Sequence, residues 1–324
     1  MSRRRRGLGP RISPLSTVEL SSRRVNWRRR RARRRAGLAI AVLLLCAGVP
    51  ALALSRGHHH RRPRPSPLAT TAGPLEPPIA PPLGASPPAS SHSPRTDPYR
   101  AVDHVLRYTQ YVRVGEGRRR DVALTFDDGP GPYTSTILSI LRRTHTPATF
   151  FAIGREVSLY PRLIAEEARD GFEIGDHTET HPFLAALSAS VQETQLTEAA
   201  QAIRRAGAPY PRLFRPPYGS FDPATLEVLR SERMLMVLWT VDTSDYARPG
   251  VARIVYVALS GARPGAIILM HDGGGNRAET AEALPRIIAV LRRKGYRLVT
   301  VSQLVADDPP PHGQPVPRSL SGTG

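Results

Sequence analysis

The chain has 324 residues, a formal net charge of +19 at pH 7, 40% hydrophobic residues and a single cysteine. The charge is lopsided: residues 1–65 hold 18 of the 46 Lys and Arg and one of the 27 acids, which leaves that head at +17 and the rest at +2. The globular part therefore offers no broadly basic nucleic-acid surface, the lone Cys46 excludes an intrachain disulfide, and the length allows one large domain that needs no covalent staple.

The head, residues 1–35, carries 14 arginines. It runs into "AGLAIAVLLLCAGVPALAL", residues 36–54, which carries no charge. Those 19 residues have the length of a membrane-spanning helix. More arginine precedes the run than follows it, which favours a cytoplasmic N-terminus and an exported remainder. We expect an uncleaved single-pass signal anchor in the cell membrane. Ala51-Leu52-Ala53 has the small-x-small form of a processing site, so secretion after cleavage near Ala53 is the alternative. Residues 55–98 are rich in Pro, Ala and Ser; 12 of the chain's 33 prolines fall within 61–100. Such a segment buries no core and is expected to be a disordered, extended spacer. Segment 99–117 reads as a lead-in, 118–307 as the folded domain and 308–324 as a disordered tail.

Seven strand candidates follow one another: 121–126, 148–153, 172–177, 212–217, 234–242, 266–271 and 296–301. Several are continuous apolar runs, as in strands buried on both faces. Helical patterns lie between them. Within 190–208, Leu196, Ala199, Ala200 and Ile203 form a stripe, with Ser190 and Glu193 as a capping box and Gly207 as the C-terminal glycine. Within 279–295 the stripe is Leu284, Ile287, Ile288 and Leu291. Alternating strands and helices predict a mostly parallel α/β sheet, closed or nearly so.

Polar residues gather where those strands end, the place where parallel β/α folds put their chemistry. "DVALTFDDGPGPY" ends a strand in Asp127 and Asp128. Neighbouring strand residues face opposite ways, so paired acids there suit two different jobs, although "DDGP" is also ordinary turn chemistry. "GDHTETHP" puts His177 and His181 four apart; on a curled backbone both rings face one point, and with a carboxylate they make a zinc-type donor set. In "FRPPYGSFD", two prolines stiffen the chain after Arg215, which can pair with a carboxylate. "WTVDTSDY" brings an aromatic and two acids, Asp242 and Asp245. "IILMHDGGG" ends a buried strand in His271, which suits a general acid. Each cluster alone has a bland explanation as a loop; five at five strand ends do not.

Taken in order, "TFDDGP", "HTETH", "RPPY", "DTSDY" and "LMH" resemble the five motifs of the polysaccharide deacetylases, carbohydrate esterase family 4, which share the NodB homology domain. The resemblance spans residues 118–307 and implies a distorted (β/α) barrel of about seven parallel strands. It implies Asp127 as general base, oriented by Arg215, and Asp128, His177 and His181 as ligands of one divalent metal, Zn2+ or a similar ion. It implies the Tyr218 backbone N–H as oxyanion donor and His271 as general acid, tuned by Asp245, which should raise its pKa. Leu269 and Trp239 would line the acetyl pocket, with Pro217 and Tyr246 on the substrate groove. Tyr246 stands where the family commonly has Trp, and Asp176 where it commonly has Asn, which adds a carboxylate beside the first histidine.

The expected activity is metal-dependent removal of N-acetyl groups from N-acetylglucosamine units of a cell-wall polysaccharide, foremost peptidoglycan. Chitin oligosaccharides and O-acetyl xylan are the alternative substrates. The expected partners are that polymer and, through residues 36–54, the membrane, with no nucleic acid. A non-catalytic carbohydrate-binding wall protein is the competing class, and the retained Asp127, His271 and metal set weigh against it.

Overall fold

A computed structural model describes residues 98–313. The basic head, the apolar run 36–54, the spacer through residue 97 and residues 314–324 lie outside the described residues. Among the described residues no helix is long and apolar enough to cross a membrane.

Among the described residues nine short strands build one parallel sheet: β1 (Tyr111–Val112), β2 (Asp121–Gly129), β3 (Thr149–Ala152), β4 (Glu173–Asp176), β5 (Leu213–Phe214), β6 (Leu235–Val237), β7 (Val241–Asp242), β8 (Ala266–His271) and β9 (Arg297–Val299). Their order is β1-β6-β5-β4-β3-β2-β8-β7, with β9 against the first residues of β2. All seven expected strands are present. Two were not foreseen. One is β1. The other arises because the apolar run 234–242 breaks: Leu235 and Met236 pair with β5 while Val241 and Asp242 pair with β8. That one run of chain therefore joins the two flanks of the ladder across Leu238–Thr240.

The period-2 alternation of β2 sorts its side chains between two cores. Val122, Leu124 and Phe126 pack with Ile268 and Met270 and with helical residues such as Leu138 and Leu284. Ala123 belongs to a different cluster, with Phe151, Leu213, Val237 and Ile267. Thr125 and Asp127 share the Ala123 face, and both hydrogen-bond to Arg215, at the end of β5 and three places away in the sheet order. Contact at that separation requires the face to be concave. The sheet is thus curled, consistent with a distorted (β/α) barrel.

The helices follow their stripes. Helix 189–205 buries Leu196, Ala199, Ala200 and Ile203. It begins one residue before Ser190, with Ser188 as N-cap and no side-chain cap bond, so the expected capping box does not form. Gly207 sits just past its end at φ 97, where a side chain would be strained. Helix 278–293 buries Leu284, Ile287, Ile288 and Leu291. The lead-in forms a helix, Pro98–Val105, whose Val102 and Val105 join the inner core beside Val301 and Leu304 of the last helix, Val301–Asp307. The start of the expected tail packs on it. The Asp308 carboxylate accepts from the Gly117 and Arg118 N–H groups at 2.8 and 3.1 Å, and Tyr108 donates to the Pro310 carbonyl at 2.9 Å.

Phe126 is fully buried and stacked on Phe150 with ring centroids 5.2 Å apart. Phe126→Ala leaves a void that close-packed strands cannot fill, so chemical denaturation should show a loss of about 3–5 kcal/mol.

Candidate active site

Asp127 and Arg215 form the buried floor of a cleft at the carboxyl ends of the strands. Arg215 has no solvent exposure. Its Nη1 donates to Asp127 Oδ1 at 2.7 Å and to Thr125 Oγ1 at 2.8 Å, and its Nε donates to the Val237 carbonyl at 3.2 Å. The guanidinium lies 4.2 Å over the Phe151 ring. Burial lowers the Arg215 pKa, and the charge and hydrogen bond of Asp127 act against that shift. The backbone of Arg215 also works: its N–H donates to the Asp176 carbonyl at 2.9 Å, and its own carbonyl lies 2.6 Å from His177 Nδ1.

That last bond fixes a tautomer. A carbonyl only accepts, so His177 Nδ1 carries a proton, and in the neutral ring the lone pair is then on Nε2. Nε2 lies 3.6 Å from Asp128 Oδ1, and His181 Nε2 lies 3.2 Å from the same oxygen. Asp128 Oδ1 is buried and has no hydrogen-bond partner. Three donor atoms of Asp128, His177 and His181 lie within 4.8 Å of one another. Ligands at about 2.1 Å in a tetrahedral shell sit roughly 3.4 Å apart, so two lone-pair nitrogens and one orphaned carboxylate oxygen at these separations fit a divalent metal. Burial, with repulsion from His177, pushes His181 down to about 4, so it is uncharged at neutral pH. Burial opposes ionisation of Asp128, but the surrounding imidazoles, protonated His271 among them, prevail and hold its carboxyl below the usual range.

Simple alternation would turn Asp128 away from Asp127, so alternation does not explain the pair. The register of β2 against β3 shifts between Asp127 and Gly129, and Asp128 has φ 69. This bulge brings the second carboxylate back to the rim that the first one faces. Thr178, His181, Tyr218 and Ser244, all beside the cleft, are likewise left-handed non-glycine residues. Each such residue costs on the order of 1–3 kcal/mol unless its surroundings hold it. His181 is held by its N–H bond to Thr178 Oγ1 at 3.0 Å, and the neighbouring Glu179 N–H bonds the Gln195 carbonyl at 2.8 Å.

Across the cleft, β2 and β8 pair so that His271 stands beside Asp127. Its Nδ1 is 2.7 Å from Asp245 Oδ1, while Asp245 Oδ2 accepts from the His271 N–H and from Thr280 Oγ1 at 2.9 and 2.6 Å. Burial works against a charged imidazole here, yet the Asp245 hydrogen bond and charge raise His271 to about 9. It therefore keeps both ring protons at neutral pH, as expected, and Nε2–H is a donor.

The remaining expected residues divide. Leu269 lies on the same face of β8 as His271 and is buried. Trp239 is half-buried, 5.7 Å from the Arg215 guanidinium. Tyr246 is exposed, its ring edge-on to His271 at 5.3 Å. Pro217 is buried; with Pro216 it stiffens the turn that presents Tyr218. Asp176 is buried away from the metal triad and accepts from the Thr178 N–H at 2.7 Å. Burial pushes its carboxyl well above the usual range, favouring the uncharged, asparagine-like form. The sequence assigns no role to three supporting residues: Thr125, although it opens "TFDDGP", and Thr280 and Arg277, which lie outside every motif. Thr125 and Thr280 donate or accept across 90 and 35 residues of chain. Buried Arg277 has no ion-pair partner among the described residues and grips the carbonyls of Gly273, Gly274 and Tyr246 at 2.6, 3.0 and 3.3 Å. The strand-face period could have flagged Thr125; nothing local marks the other two.

The profile of the family described as "Polysaccharide deacetylase" matches residues 115–237. A Bacillus cereus peptidoglycan-N-acetylglucosamine deacetylase is 38% identical over 187 residues, 57% of this chain and 87% of that protein. A Bradyrhizobium chitooligosaccharide deacetylase is 39% identical over 198 residues, 57% of this chain and 90% of that protein. Among solved structures, the Bc1960 peptidoglycan N-acetylglucosamine deacetylase superposes with a TM-score of 0.59 at 32% identity, covering 62% of this chain and 95% of that one.

Removing the anion should drop the His271 pKa, since burial then acts unopposed by its main partner. In Asp245→Asn, NMR titration of the His271 ring should move down from about 9. A raised folded-state pKa gives stability that is full below about 6.5 and lost as pH rises through about 9. The parent should therefore lose more stability than the variant across that window.

Proposed function

The chain belongs to the polysaccharide deacetylase family and is an amide hydrolase, and we propose that it removes N-acetyl groups from N-acetylglucosamine units of peptidoglycan. The observation that carries the chemistry is the placing of Asp127 between two differently charged flanks. The Asp128, His177 and His181 triad lies on one side and protonated His271 on the other. Asp127 Oδ1 is engaged by Arg215, while Oδ2 lies 3.7 Å from His177 Nε2, at the edge of the triad. Oδ2 is then the basic atom. It takes the proton from a water attacking the acetyl carbonyl, and the Arg215 contact keeps the carboxylate from swinging away.

A divalent ion, foremost Zn2+, held by Asp128, His177 and His181 would supply Lewis-acid polarisation of the acetyl carbonyl and acidify the attacking water. The Tyr218 N–H, offered from its left-handed turn, adds a hydrogen bond to the oxygen where charge develops. His271 Nε2–H then gives its proton to the departing amine. Asp245, held by the His271 backbone N–H and Thr280 Oγ1, accepts from the imidazole Nδ1–H, keeps the ring upright and compensates its charge. Leu269 and Trp239 enclose the acetyl methyl, for which a charged wall would be unfavourable.

Peptidoglycan is favoured as polymer by the Bacillus cereus relative and by the N-terminal region of this chain. Residues 36–54 would anchor the protein, and the proline-rich spacer would hold the domain at wall distance outside the membrane. The Bradyrhizobium relative favours chitin oligosaccharides as the second substrate.

Acetate release from peptidoglycan fragments, chitin oligosaccharides and acetylated xylan separates these substrates; release from xylan alone would reassign the protein as an O-acetyl esterase. The paired acids give a second test. Asp128→Ala should lose bound metal by elemental analysis together with activity. Asp127→Asn should retain metal and lose activity by about 100-fold or more.

A further inference from the structure

Five of the seven phenylalanines are buried and Phe172 is half-buried; Phe183 alone is exposed, at 53%. It lies beside the cleft. Its ring stacks on that of Tyr218, itself 50% exposed, with centroids 4.0 Å apart and planes within 13°. Tyr218 in turn stands edge-on to His181 at 4.6 Å. The two rings come from different loops, one after β4 and one after β5, so no single loop accounts for the pair. Both loops are fastened below it. Leu184 is fully buried with Phe214 and Phe221, and the Ala185 N–H donates to Ser220 Oγ at 3.2 Å. Two stacked rings left half in water, on tied loops at the rim of a polar cleft, are a feature that folding alone does not require.

We propose that Phe183, backed by Tyr218, is a shelf for a sugar ring adjacent in the chain to the unit being deacetylated. The inference rests on the deacetylase function proposed above. A pyranose shows a flat face of C–H groups whose hydrogens carry slight positive charge, and an aromatic face is its electrostatic complement. Phe183 lies one ring farther from His181 than Tyr218 does. It is beyond the sugar whose acetyl group meets Asp127 and within reach of the next one. Because both loops are fixed before binding, little ordering entropy is lost when the sugar arrives. Chain length of the substrate is then read on the triad side of the cleft, opposite the exposed Tyr246 beside His271. A single acetylated unit gains nothing from the shelf.

The test uses the metal-loaded full chain, the variants Phe183→Ala and Phe183→Trp, an N-acetylglucosamine tetramer and an aryl acetate. Acetate release and calorimetric binding of the tetramer are both measured. Phe183→Ala should lower kcat/KM on the tetramer about tenfold, mainly through KM, and leave the aryl acetate within about twofold, while Phe183→Trp restores the tetramer value. Equal loss on both substrates, or no loss on either, overturns the shelf and leaves the proposed function standing. If the parent releases acetate from no acetylated glycan, the proposed function fails. The shelf is then judged by calorimetry: weaker tetramer binding by Phe183→Ala than by the parent sustains it, and equal binding or none overturns it.

Discussion

A guanidinium with no access to water is the constraint around which this site is arranged. Arg215 joins three parts of the cleft at once. Its side chain fixes the carboxylate of Asp127, its carbonyl sets the tautomer of His177, and its N–H holds the end of β4 through Asp176. A buried ion pair is weak evidence of stability, because desolvation offsets the attraction. Its value here is geometric. Bonds to Thr125 and to the Val237 carbonyl leave the guanidinium one position, and Asp127 inherits that position. The concavity of the sheet follows from the same contact, since β2 and the end of β5 meet across it.

The charge pattern above that floor is divided by environment. His181 and His271 are both imidazoles near the same acids, yet burial with His177 drives one down and Asp245 drives the other up. One ring offers a lone pair and the other a proton. A single acid placed behind one ring and not the other separates ligand from acid. Asp176 shows the complementary case: an extra carboxylate next to a ligand has little effect on the site's charge because burial favours its neutral form.

Much of this was legible in the sequence because the chemistry sits at strand ends and strands announce themselves by apolar runs. Asp127, Asp128, His177, His181, Arg215, Asp245 and His271 all converge. What failed to show was what depends on backbone detail or distance. The bulge at Asp128 looks like an ordinary strand end, since aspartate gives no local sign of a left-handed φ. The break within 234–242 lies in an unbroken apolar run, because both halves are buried, and burial is what the pattern records. Arg277 and Thr280 bind through carbonyls and a carboxylate brought near only by folding.

The broken run has a consequence for how the domain tolerates change. Leu235–Val237 is registered on β5 and β1 and Val241–Asp242 on β8, so the three residues between them are a spacer of fixed length. Inserting or deleting one residue there would not be absorbed as it would in a surface loop. It would slide β7 by one place against β8 and turn its side chains over. Asp245, which follows three residues later, would move off His271. Variation in length among proteins built this way should therefore accumulate in the outer loops and spare Leu238–Thr240, the stretch that also carries Trp239.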